Sequence, residues 1–91
     1  MEIEFDPVKR QQTLEQRGLD MADAGGIFED THMTYRDIRK DYGEDRYLTF
    51  GYLNQRMVFV AWTRRGYAMR IISMRKADAR EEREFASLFG R

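Results

Sequence analysis

The 91-residue sequence contains no cysteine and only one proline, one histidine and one tryptophan. Without cysteine, the chain has no disulfide framework, thiol nucleophile or thiolate metal site. No stretch approaches the roughly eighteen apolar residues that a membrane-spanning helix needs. The first residues are acidic and have no apolar segment of a signal peptide. We therefore expect one domain, residues 1–91, that acts in the cytoplasm without a cofactor or metal.

Acidic residues are absent from residues 46–77, although acids and bases are equal in number over the whole chain. That segment holds seven bases, namely Arg46, Arg56, Arg64, Arg65, Arg70, Arg75 and Lys76. Residues 1–45 hold the opposite excess, twelve acids against six bases. A cluster of cations can attract phosphate even when the whole molecule is neutral.

A hairpin within this segment is the predicted centre of the fold. Residues 57–63 are apolar or β-branched, which favours a buried strand, and residues 68–76 return as a second strand. Gly66 lies between them and can take the positive φ angle that a tight turn needs. Strict alternation of side chains along the second strand places Arg70 and Arg75 on opposite faces.

The other patterns complete an α+β fold with two N-terminal helices, an antiparallel sheet of three to four strands and a C-terminal helix. Asp6-Pro7 is typical of a helix start, and Gly18 suits the position that follows the end of that helix. Asp78 with Glu81 is typical of a capping box. The predicted helices cover residues 7–17, 21–29 and 78–89. The predicted strands cover residues 32–37, 46–52, 57–63 and 68–76, with a charged loop over residues 38–45.

The arginines of the hairpin are candidates for phosphate binding, because guanidinium offers planar, paired donors. Like charges on neighbouring strands repel, so a sheet that gathers them is expected to meet an anion. The alternative is that they are solvated charges paired with the acidic first half. Tyr47, Trp62 and Tyr67 are candidates for base stacking or for core packing. His32 lacks partners for a metal site and is one of several possible general acids or bases.

Several segments resemble the BrnT toxins of bacterial type II toxin–antitoxin systems, over about residues 3–89. The marks are Phe-Asp-Pro-Val-Lys at residues 5–9, Gly-Glu-Asp-Arg at residues 43–46, and Arg-Ile-Ile-Ser-Met-Arg-Lys-Ala at residues 70–77. The resemblance implies a RelE-like ribonuclease that cleaves RNA and so inhibits translation and growth. It also implies a BrnA-like antitoxin with a ribbon-helix-helix domain, through which the complex binds operator DNA and represses its own operon.

RNA cleavage without a metal requires the 2′-hydroxyl to attack the adjacent phosphate while the protein neutralises the developing charge. We assign catalytic roles to Arg64, Ser73 and Arg75. The residues assigned to RNA and phosphate binding are Lys9, Arg46, Arg70 and Lys76. Arginine, with a pKa above about 12, is a poor general base, so the groups that transfer protons are unassigned. The alternatives are a non-catalytic nucleic-acid-binding module and a purely protein-binding domain that use the same hairpin.

Overall fold

The computed structural model describes residues 2–90 as an α+β fold, which confirms the predicted class. Its elements are β1 (Glu2–Glu4), α1 (Pro7–Arg17), a 3₁₀ helix (Met21–Glu29), β2 (His32–Arg36), β3 (Arg46–Leu53), β4 (Arg56–Arg65), β5 (Ala68–Lys76) and α2 (Ala79–Leu88). The five strands form one sheet in the order β1-β5-β4-β3-β2. The first strand runs parallel to β5 and the other neighbours are antiparallel.

The first strand corrects the prediction of an antiparallel sheet of three to four strands. It has only three residues, and its middle residue, Ile3, pairs with Met69 and packs against the core. Parallel pairing with residues so distant in sequence leaves no local turn signal. The sequence pattern around residues 2–4 therefore did not predict β1.

The predicted first helix, residues 7–17, is confirmed together with both of its ends. The side chain of Asp6 accepts a hydrogen bond of 2.8 Å from the backbone N–H of Val8, and Pro7 is the first helical residue. Gly18 ends α1 in the left-handed conformation, with φ 66°. Its N–H donates to the carbonyl of Leu14 at 3.0 Å.

The predicted second helix has the expected bounds but is a 3₁₀ helix. Met21, Ala24 and Ile27 are its buried residues, and they recur at intervals of three. A 3₁₀ helix has three residues per turn, so this spacing places all three side chains directly above one another towards the sheet. In an α-helix the same residues would spread around the axis.

The predicted hairpin is confirmed, and it contains an irregularity that strict alternation did not predict. Ala61 pairs with Ser73, but Trp62 pairs with Ile71. Ile72 is therefore an extra residue, and β5 bulges at this point. The core contains side chains from both sides of the bulge, including Met69, Ile71 and Met74.

The C-terminal helix packs on the face of the sheet opposite α1. Asp78 and Glu81 form the predicted capping box, with backbone N–H to carboxylate distances of 2.8 and 3.0 Å. The ring of Phe85 lies 4.3 Å from that of Phe50 and 5.8 Å from that of Phe59, measured between centroids. None of the described residues of α2 is buried, so a few long side chains hold the helix to the sheet.

A substitution at Gly51 tests the pairing of β2 with β3, because this glycine packs closely against the start of β2. A Cβ at position 51 would lie 2.7 Å from the carbonyl oxygen of Thr31 and 2.8 Å from the Cβ of His32. We expect Gly51→Ala to lower the free energy of unfolding by about 1–3 kcal/mol through overpacking. Denaturant unfolding measures the change. Gly25→Ala is the control, since its Cβ would meet Ile3 at 3.4 Å and should leave the stability unchanged or slightly higher. Equal stability of the two variants would contradict this pairing.

Candidate functional site

One face of the sheet is covered by α1 and the 3₁₀ helix, whereas the other face combines half-buried and exposed side chains with buried ones, among them Phe50, Phe59 and Thr63. Residues 19–27 and α1 lie over the covered face, where Val60, Trp62 and Met74 belong to the core. We call the other side the open face, and α2 crosses only one end of it.

Strand register divides the open face into three rows of side chains that run across the sheet. The first row is Met33, Phe50, Phe59 and Arg75. The middle row is Tyr35, Leu48, Ala61 and Ser73. The third row is Arg46, Thr63 and Arg70. Phe85 of α2 covers the first row, whereas Leu48 and Ala61 in the middle row are half-buried and Ser73 is exposed.

The bulge brings Arg70, Ser73 and Arg75 to the same face, so the predicted opposition of Arg70 and Arg75 is wrong. Thr63, Ala61 and Phe59 alternate regularly along β4 and share a face. On β5, Arg70 pairs with Thr63, Ser73 pairs with Ala61, and Arg75 pairs with Phe59. One extra residue between Arg70 and Ser73 shifts the alternation by one and joins the two arginines on the open face.

Arg75 is held in place from three sides. Its Nη1 and Nη2 donate to the two carboxylate oxygens of Glu81 at 2.8 and 2.9 Å, and its Cζ lies 4.4 Å from the centre of the Phe59 ring. Nη1 also donates to the carbonyl of Lys76 at 3.3 Å. Because Glu81 also accepts from the backbone of Asp78, the same carboxylate fixes both the start of α2 and the guanidinium.

The ion pair between Arg75 and Glu81 shifts the pKa values of both side chains. The hydrogen bonds from Arg75, helped by the backbone N–H of Asp78, lower the pKa of Glu81 to about 2. The hydrogen bonds to Glu81 raise the pKa of Arg75. The carboxylate is therefore ionised at neutral pH, and the pair stays intact well into the acidic range.

The third row is also charge-paired at both of its ends. Arg70 donates to Glu4 of β1 at 2.8 Å. Arg46 lies 3.4 Å from Glu44, and its guanidinium stacks 4.2 Å from the centre of the Tyr42 ring. Three cations of the acid-free segment on this face, Arg46, Arg70 and Arg75, thus meet carboxylates from outside that segment. This pairing agrees with the alternative in which the arginines neutralise acids, although it leaves other N–H donors on each guanidinium.

Three predicted site residues lie apart from the open face. Arg64 pairs with Met69 on the covered side of the sheet, at its exposed hairpin end. Lys76 is on that side too, with its Nζ 3.7 Å from where a Cβ on Gly18 would lie, at the end of α1. Lys9 is exposed on α1 itself. The structure therefore groups Arg46, Arg70, Ser73 and Arg75, and separates them from these three.

The aromatic candidates have different positions. Trp62 is buried, stacks on Tyr47 at 4.8 Å between centroids, and donates its indole N–H to Thr49 at 2.9 Å. Tyr67 is 96% exposed at the hairpin turn. His32 shares a 2.8 Å hydrogen bond with the carbonyl of Asp30 and lies near the covered side, away from the open face.

Two residues of this region have no role in the sequence-based assignment, namely Glu81 in its contact with Arg75 and Tyr35 in the middle row. Alternation within residues 32–37 already places Tyr35 and Met33 on one face, which is the signal that could have identified Tyr35. Over residues 2–90 there is no group of three or more His, Asp or Glu side chains arranged to hold a metal ion. No helix in that range is long and apolar enough to cross a membrane.

The low pKa of Glu81 predicts how acid affects stability. We expect Glu81→Gln to lower the free energy of unfolding at neutral pH by about 1 kcal/mol, because solvent screens a partly exposed ion pair. The pair contributes fully above the unfolded pKa near 4.5, and its contribution is lost as the pH falls to about 2. Unfolding of both proteins at neutral pH and near pH 2 should show the difference only at neutral pH. Glu82→Gln, on the adjacent exposed residue, is the control, and its free energy of unfolding should equal that of the wild type at both pH values.

Comparison with protein families gives a match over residues 5–81 to the family described as the ribonuclease toxin, BrnT, of type II toxin–antitoxin systems. A search of curated proteins gave no match. The matched range includes β4, the bulged strand β5 and both members of the Arg75–Glu81 pair, and it stops within the first turn of α2. The chain therefore belongs to the BrnT family of ribonuclease toxins of type II toxin–antitoxin systems.

Proposed function

We propose that the open face is the surface on which this toxin binds and cleaves RNA, without a metal ion. The observation that carries the proposal is the gathering of Arg70, Ser73 and Arg75 on the open face by the bulge in β5. Two guanidiniums and a hydroxyl in neighbouring rows can hold one phosphate from several directions. Arg46, at the opposite end of the third row, adds a contact for the flanking backbone.

Cleavage on this face proceeds by attack of the RNA 2′-hydroxyl oxygen on the adjacent phosphorus. The new 2′-O–P bond forms as the P–O5′ bond breaks, which leaves a 2′,3′-cyclic phosphate and a 5′-hydroxyl. The 2′-hydroxyl gives up its proton, and the departing 5′ oxygen gains one. Negative charge builds on the phosphoryl oxygens during this step, and fixed cationic donors stabilise it most.

Arg75 is suited to that stabilisation because it is already immobilised. A guanidinium has five N–H donors, and three of those in Arg75 are engaged by Glu81 and the carbonyl of Lys76. Two remain for a phosphate. Glu81 and the Phe59 ring therefore orient Arg75 before RNA arrives, so little reorganisation is needed in the transition state.

The proposal departs from the sequence-based assignment for Lys9, Arg64 and Lys76. A phosphate on the open face cannot contact Arg64 and Lys76, which leave the sheet from its covered side, or Lys9, which lies on α1 over that side. We therefore assign no catalytic role to Arg64 and place none of the three in the phosphate site.

The central prediction is that cleavage depends on Arg75. We expect Arg75→Ala to lower the rate of RNA cleavage about 100-fold, the usual effect of losing one donor to transition-state charge. The measurement is single-turnover cleavage of a mixed-sequence single-stranded RNA, with thermal unfolding recorded on the same samples.

Three variants separate chemistry from folding. Glu81→Gln breaks the same ion pair but keeps the guanidinium, so its cleavage rate should fall less than about tenfold. Arg64→Ala on the covered side and the exposed Arg83→Ala should cleave at the wild-type rate. Wild-type cleavage by folded Arg75→Ala, or loss of cleavage in Arg64→Ala, would refute the assignment. RNA binding without any cleavage by the wild-type protein would favour the non-catalytic module.

We also propose that the antitoxin of this system is BrnA-like, with a ribbon-helix-helix domain that carries the complex to operator DNA in the cytoplasm. The proposal draws on the BrnT family of the chain and on the cations of the open face, which an acidic partner would cover. Co-expression with the product of the adjacent gene should yield a complex that resists separation in moderate salt. In gel-shift assays that complex should bind operator DNA, while the toxin alone should not. A toxin that purifies without the adjacent gene product would count against this partner.

A further inference from the structure

Tyr35 occupies the end of the middle row opposite Ser73. The two residues are separated by Leu48 and Ala61, so they lie three strand spacings apart, or about 14 Å. Leu48 and Ala61 are only half-buried although they belong to inner strands of the sheet. The middle row is therefore an apolar, half-buried strip with a hydroxyl at each end and arginines in the rows on both sides.

The ring of Tyr35 is anchored at one edge and otherwise open. It meets the Phe50 ring edge-on at 5.9 Å between centroids, and Phe50 is in turn held by Phe59 and Phe85. Tyr35 is nevertheless 44% exposed. Its hydroxyl forms no hydrogen bond within residues 2–90.

Tyr35 is an exposed residue on an edge strand of the sheet. Exposed tyrosines are common on edge strands, where they simply fit the pleated surface. Among the described aromatic residues, however, Tyr35 is the one that is both exposed and on the open face, since Tyr67 is at the hairpin turn and His32 lies on the covered side.

We infer that Tyr35 is a further residue of the RNA site, where its ring stacks on a nucleobase next to the phosphate held at Ser73 and Arg75. Single-stranded RNA is commonly bound by basic groups on its backbone and aromatic rings on its bases. The strip formed by Leu48 and Ala61 gives the ribose and base an apolar floor between the two ends. This inference rests on the open face being the RNA site.

Stacking is expected to act on binding and not on the chemical step. The ring is about 14 Å from Ser73 across the sheet, so it contacts the substrate equally in the ground state and the transition state. Interactions of that kind raise KM when they are removed and leave kcat nearly unchanged. A hydroxyl that transferred a proton would instead change kcat.

The test uses Tyr35→Ala and Tyr35→Phe with a mixed-sequence single-stranded RNA, and a fully 2′-O-methylated RNA of the same sequence for binding without cleavage. We expect Tyr35→Ala to weaken binding and raise KM about tenfold, with kcat within threefold of wild type. Tyr35→Phe keeps the ring, so its RNA affinity, KM and kcat should each stay within threefold of the wild-type values. Met33→Ala, an equally exposed apolar residue on the same strand and face, should bind as wild type.

Each other result overturns the inference in a recognisable way. Unchanged binding by Tyr35→Ala, with cleavage still lost in Arg75→Ala, would remove Tyr35 from the site and leave the open face intact. An equal loss in Tyr35→Phe and Tyr35→Ala would show that the hydroxyl acts instead of the ring. Unchanged activity in Tyr35→Ala and Arg75→Ala together would mean that the open face is not the site. If Tyr35→Ala does not fold, Tyr35→Leu replaces it, since leucine keeps apolar bulk without an aromatic ring.

Discussion

One extra residue in β5 reconciles two demands on the same strand. The core needs Met69, Ile71 and Met74, while Arg70, Ser73 and Arg75 must stay in reach of solvent. Strict alternation would put Ile71, Ser73 and Arg75 on one face, and so would bury a guanidinium or expose a core methionine. Burying an unpaired charge costs far more than disrupting one position of a strand ladder. The bulge at Ile72 is the solution, and the composition of the open face follows from it.

The charges of the open face are organised by carboxylates that come from distant parts of the chain. Glu4 from β1, Glu44 from the loop before β3 and Glu81 from α2 each meet an arginine. Ion pairs with this degree of exposure add little to stability. Their main physical effect is to hold long, flexible side chains in one geometry while other N–H donors stay free. The face can therefore be neutral overall and still be prepared for phosphate.

Local signals in the sequence predicted the elements whose ends are defined by nearby residues. Asp6-Pro7 and Gly18 set α1, Asp78 with Glu81 set the start of α2, and Gly66 set the hairpin turn, because each acts on backbone groups within a few residues. The strand β1 and the 3₁₀ form of residues 21–29 were not predicted. Both depend on contacts with the sheet, which no short window of sequence contains.

For the site, the sequence alone determined the kind of chemistry. The acid-free run from residue 46 to 77 supplies cations for phosphate, and the motif at residues 70–77 indicated the family. Only the tertiary structure decided which cations act together, because facing depends on register. The bulge places Arg70 and Arg75 on the same face, and Arg64 lies on the opposite face of the sheet. Strand pairing places Tyr35 in the same row as Ser73. Residue type is written in the sequence, but the side of a sheet on which a residue lies is set by its partners on neighbouring strands.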